Sequence, residues 1–149
     1  MSNTYFYILL ALVAGAMMPT QAATNNKMAV VVDSPVLSAL ISFIVGTIAL
    51  LVYMLISGVS LASLASVKEA PAIAWAGGLL GAFFVTAAVT LVPRLGVAMT
   101  FSLMVAGQML VTLVIDHFGL LGVPMKEVSL ARIGGILLIT AGVVLIRRF

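Results

Sequence analysis

The sequence predicts an all-α integral membrane protein, a bundle of five transmembrane helices. Three observations carry this. Of the 149 residues, 64% are hydrophobic and only 7% are charged, against about 25% charged residues in a soluble domain. Mean hydropathy is +1.33. The apolar residues are also gathered into five runs near the ~20 residues that a bilayer core demands, and charges, prolines and glycines separate the runs. A chain with so few charges cannot cover a water-facing surface, which excludes a soluble globular enzyme and a disordered segment. Five spans with short connections fill the chain as a single transmembrane domain over 1–149, so any function must sit within the bilayer.

The first run starts at Tyr5 and is apolar to Met18. Pro19 and the polar residues Thr20, Gln21, Thr24, Asn25 and Asn26 follow, and continuation to about residue 31 predicts a long helix kinked at the proline. This segment also has the apolar stretch and small residues, Ala22 and Ala23, of a signal peptide, but it lacks a basic leader. The second helix is expected over 35–58, because Ser34 can cap it and Pro35 suits its first turn. A partly helical loop containing Lys68 and Glu69 leads to the third, 72–92, which Pro93-Arg94 should end. The fourth covers 95–117 and ends at Asp116-His117. Gly119, Gly122 and Pro124 mark the next loop, and the fifth covers 128–147, closed by Arg147 and Arg148.

No cysteine is present, which excludes disulfides and thiolate metal sites. The net charge of +3 does not point to nucleic acid, since the charges are scattered singly at helix ends and in loops, at headgroup level. Five spans put the termini on opposite faces. One face then receives Lys68, Lys126 and Arg132, and the other Lys27, Arg94, Arg147 and Arg148. Orientation follows the Lys and Arg excess in short loops, and here there is almost none. Either another signal orients the chain, or it inserts both ways up. In the second case two copies can pair antiparallel and build the inverted repeat that many transporters carry within one chain.

Six segments in order carry a resemblance. They are Pro19-Thr20-Gln21 with Asn25, Ser42 to Thr47, Trp75 to Gly81, Gly107-Gln108, Asp116 to Gly122, and Arg132 to Gly135. Together they make the chain resemble the YdcZ-like family of bacterial inner-membrane proteins in the drug/metabolite transporter superfamily, over nearly its whole length. The resemblance implies a multi-pass protein of the bacterial inner membrane, a five-helix unit that occurs alone or as a fused ten-helix pair and here forms one half of an inverted-repeat transporter, and a secondary transporter. It implies no particular solute.

Polar groups in hydrocarbon are costly unless satisfied, so their positions are informative. Gln21 and Asn25 are four residues apart on one helix face, just after Pro19, whose missing N–H frees backbone groups nearby. Broken helices of this type line transporter sites. The same residues can instead bond neighbouring helices, or Asn25 and Asn26 can lie at the water interface. On the fourth helix Thr100, Met104, Gln108, Thr112 and Asp116 recur at steps of four. Gln108, near mid-span, should face the protein interior, as a site residue or as an interhelical hydrogen bond. Ser42 lies on the small face formed by Ser38 and Gly46. Trp75 is either a wall of the site or an interfacial anchor. Asp116 and His117 read either as a proton-coupling pair or, preferably, as helix-end groups with Arg132 as the partner of Asp116. No carboxylate lies at mid-span, which disfavours an organic-cation cargo.

Zinc-protease, serine-elbow and cysteine motifs are absent, so no catalysis and no cofactor are expected. The sequence therefore predicts a secondary transporter of a small polar solute. It would work as an antiparallel homodimer in the bilayer, with a midplane site that includes Gln21, Asn25, Gln108, Ser42 and Trp75. The alternative is an accessory or scaffold membrane protein without transport of its own.

Overall fold

The computed structural model describes residues 2–148. Among them are five α-helices and no strand: α1 (Ser2–Val32), α2 (Pro35–Ser57), α3 (Ala76–Leu95), α4 (Val97–Phe118) and α5 (Leu130–Arg148). All five are long and apolar enough to cross a membrane. The chain divides into two compact units, one ending at Pro93 and the other starting at Arg94.

In the first unit α1 runs through Pro19 without interruption. Its length is about 46 Å at 1.5 Å per residue, more than the ~30 Å hydrocarbon core, so it must tilt or project beyond it. The chain reverses at Asp33-Ser34. Asp33 takes φ 51°, Ser34 Oγ accepts the Leu37 N–H at 3.2 Å, and Pro35 occupies the first turn of α2, where its missing N–H has no helical partner to lose. The hairpin packs on small side chains, with Ala22, Asn25 and Ala29 of α1 and Ser38 and Ala39 of α2 all buried. Their size lets the two backbones approach. The α2 helix ends at Gly58, with φ 70°, whose N–H bonds the Met54 carbonyl. The Phe43 ring of α2 lies beside Gly81 of α3, where an added Cβ would make an ordinary van der Waals contact with it at 3.6 Å.

Between α2 and α3 the chain forms a 3-10 helix over Leu61–Glu69, capped by Ser60, and a second over Ala72–Trp75. With three residues per turn, side chains at i and i+3 eclipse, so Leu61, Leu64 and Val67 share one face. All three are exposed, and among the described residues no other element packs on this helix.

The third span starts at Ala72, with its first residues wound as the 3-10 turn and the α-helix beginning at Ala76. One sequence expectation is corrected here. Pro93-Arg94 is not the break, since α3 continues through both to Leu95. Pro93 cannot bond the Val89 carbonyl and its ring crowds that carbonyl, but the residues after it keep their own helical bonds for the short run to Leu95. The chain turns at Gly96, whose φ of 80° is a conformation that glycine adopts without penalty.

In the second unit α4 packs on α5. Thr100 is fully buried and its Oγ1 donates to the Gly96 carbonyl at 2.7 Å. The α4 helix ends at Gly119, with φ 59°, and Leu121 beyond it also takes a left-handed φ of 58°. Ser129 Oγ accepts the Arg132 N–H at 3.3 Å, capping the first turn of α5.

Candidate functional site

A cleft of about 580 Å³ opens between α1 and α2, lined by Met17, Met18, Thr20, Gln21, Thr24, Asn25, Met28, Ser38, Ile41, Ser42 and Val45. Three of the five sequence-predicted site residues, Gln21, Asn25 and Ser42, meet here. Gln21 and Asn25 share a face because four residues make slightly more than one helical turn. Ser42 comes from the facing side of α2, on the same small stripe as Ser38. Gln21 and Ser42 also line a smaller adjoining hollow of about 230 Å³ with Phe43, Gly46 and Thr47. Met17 stands at the middle of α1 and Gly46 at the middle of α2. Gln21 and Ser42 are one turn, about 6 Å, nearer the α1–α2 turn. The cleft therefore runs from mid-helix toward that turn.

Hydrogen bonding inside the cleft is uneven. Thr20 Oγ1 donates to the Ala16 carbonyl at 2.9 Å and Thr24 Oγ1 to the Gln21 carbonyl at 2.9 Å. Ser38 Oγ donates across the hairpin to the Asn25 carbonyl at 2.6 Å. Ser38 thus holds the backbone of Asn25 in place, while Asn25 is only 8% exposed and its Nδ2 is sealed from solvent without a partner among the described residues. Leaving a buried amide donor unmet costs about 1–3 kcal/mol. No charged side chain lines the cleft.

The other two predicted residues do not line this cleft. Trp75 is 61% exposed and ends the 3-10 turn ahead of α3, the position of an interfacial anchor. Gln108 lies on α4 with its side chain exposed, and its carbonyl accepts from Thr112 Oγ1 at 2.8 Å. The steps of four from Thr100 to Asp116 drift around the helix, which is why Thr100 is buried while Gln108 and Thr112 are exposed.

Asp116 and Arg132 form an ion pair in which each side chain is partly buried. The pair is the centre of a clasp. Arg132 Nη1 donates to the Lys126 carbonyl at 3.1 Å, the Lys126 N–H bonds the Asp116 carbonyl at 2.8 Å, and His117 Nδ1 accepts the Val128 N–H at 3.4 Å. Arg132 is thus the partner of Asp116, as preferred from the sequence. Among the described residues no group of three His, Asp or Glu side chains comes together.

Sequence reasoning missed two parts of this site. The sequence places Ser38 only on a small helix face, and its hydrogen bond depends on the register of α1 against α2, which periodicity along one helix does not encode. The methionines Met17, Met18 and Met28 were absorbed into the apolar runs.

Five apolar spans and a polar cleft between two of them define a multi-pass membrane protein. The family model described as "Putative inner membrane exporter, YdcZ" matches residues 6–145. The chain belongs to that family, named DMT_YdcZ, and it resides in the inner membrane. No curated protein and no solved structure matches the chain. The family description supports a transporter role.

Proposed function

We propose that the chain is one protomer of a secondary exporter of a small polar solute, working as an antiparallel homodimer with its solute site near the bilayer midplane. The observation that carries this reading is the buried, unpartnered amide of Asn25 beside Gln21 and Ser42 in a cleft of 580 Å³. That volume lies within the range of about 300–1,000 Å³ typical of small-molecule sites. Among the described residues no neighbouring helix supplies that amide nitrogen with an acceptor, and Asn25 lines the cleft.

The dimer follows from other features. Five spans and a balance of three basic residues against four leave orientation undetermined by the positive-inside rule. The exposed amide of Gln108 on a membrane span is costly to leave in lipid, and a partner surface removes that cost. In an antiparallel pair every site residue occurs twice about a two-fold axis, and opposite tilts of the copies open the site to either side of the membrane.

Two measurements test the proposal. C-terminal reporter fusions should show both orientations, and a strictly one-sided C-terminus would refute the dual-topology part. Purified protein in proteoliposomes should pass a solute down its gradient, and Gln21→Leu, in the cleft, should keep the dimer but abolish flux, whereas Gln108→Leu should weaken the dimer. A purified protein without flux toward any solute of a broad panel would make the accessory role the better account.

A further inference from the structure

We infer that the α1–α2 cleft selects uncharged, amphipathic molecules that present a carbonyl-type hydrogen-bond acceptor to Asn25 and an apolar body to the methionine wall. This rests on the reading above that the cleft is the solute site, and it adds the chemical class.

The hydrogen-bond inventory gives the polar half of the argument. The hydroxyl hydrogens of Thr20, Thr24 and Ser38 are all spent on backbone carbonyls. Asn25 Nδ2 is a buried donor with no acceptor. Nδ2 is closed off where it stands, so a ligand reaches it only when the side chain changes rotamer and carries the whole amide into the cleft. Turning it over in place only exchanges which of its two ends lacks a partner. An acceptor brought by a ligand removes the deficit, which makes the acceptor the feature that Asn25 recognises.

Charge gives the second half. With no Lys, Arg, Asp or Glu in the lining, an ionised ligand would lose its hydration without gaining a counter-charge. The positive end of α2 does not compensate an anion. Its first turn is capped by Ser34, and the dipole effect falls off within that turn, while Ser42 sits about two turns in. The apolar wall is adaptable. Met17, Met18 and Met28 bring flexible, polarisable thioethers that pack well on aromatic rings and tolerate varied shapes. The cleft should therefore be strict about charge and permissive about the shape of the apolar body.

The test uses the full-length protein in nanodiscs and three probes with one aromatic body: phenylacetamide, phenylacetate and phenethylamine. Equilibrium binding is measured for each, with proteoliposome flux measured separately. The amide should bind about tenfold tighter or more than either charged probe, the ratio expected of one met buried donor. Asn25→Leu should erase that preference, Asn25→Gln should keep part of it, and Asn25→Asp should shift preference to the amine. Helix content and elution volume identify any variant that fails to fold, and the wild-type ranking alone still decides the class. Tightest binding by a charged probe, no binding by any of the three, or unchanged amide affinity in folded Asn25→Leu each overturns the inference. Amide binding without flux would sustain the chemical class and contradict transport. Flux that favours charged solutes would do the reverse.

Discussion

Removing the partner of Asp116 should loosen the second unit without touching the solute cleft. Arg132 and Asp116 keep side-chain exposures of 33% and 22%, between the fully exposed pairs worth about 0–1 kcal/mol and the buried ones whose disruption costs about 3–5 kcal/mol. Arg132→Met keeps most of the aliphatic stem, deletes the ion pair and frees the Lys126 carbonyl, so a loss of about 2 kcal/mol is expected. For a chain of this size that corresponds to a fall in melting temperature of about 4–8 °C. Asp116→Asn should cost less, because an amide oxygen can still accept from the guanidinium. The double variant should be less destabilised than the sum of the two, because the pair is lost only once. The assay is thermal unfolding of purified protein followed by helix signal, with the pH dependence of flux measured in parallel. If Asp116 acts as a clasp, Asp116→Asn moves the melting temperature and leaves the shape of the pH profile alone. An unchanged melting temperature with a displaced pH profile would refute the clasp and return Asp116 to proton coupling.

Other outcomes follow from the first unit. Ser38→Ala removes the bond to the Asn25 carbonyl and should cost about 1 kcal/mol, while Ser38→Leu should separate α1 from α2 and cost several times more, since Ser38 is fully buried; both are read from thermal unfolding. Spin labels at Leu61, Leu64 and Val67 should be quenched by lipid-soluble relaxants, and labels at Ser63 and Ser66 by water-soluble ones. Short links to the spans α2 and α3 should keep the Leu61–Glu69 helix at the membrane surface with its apolar face in lipid; equal quenching at all five positions would contradict this. Leu121→Gly, which relieves a left-handed leucine, should be neutral or raise the melting temperature by a few degrees.

The spans were legible in the sequence because membrane crossing is a one-dimensional requirement, a run of apolar residues of set length. Their ends were less so. Pro93 carries a strong local breaking signal, but it disturbs the turn before it rather than the one after, and Gly96 makes the chain turn instead. The grouping of Gln21 with Asn25 follows from helical spacing alone, and Ser42 joins them because the short Asp33-Ser34 turn folds α2 back on α1. The pairing of Asp116 with Arg132 was legible for a similar reason, since they sit at facing ends of consecutive helices. The hydrogen bond from Ser38, the sealed Nδ2 of Asn25, and the positions of Trp75 and Gln108 outside the cleft all depend on how one helix is rotated against another. No residue pattern along a single helix specifies that rotation.

The central claim is that solute passes through the α1–α2 cleft, and the absence of cysteine from the chain allows a direct measurement. Ser42→Cys should keep transport, because the thiol is small and the position only partly buried. A membrane-impermeant maleimide applied to proteoliposomes should then stop flux, and the transported solute should slow the labelling. Full labelling of Ser42→Cys with flux undiminished would show that the solute travels by another route.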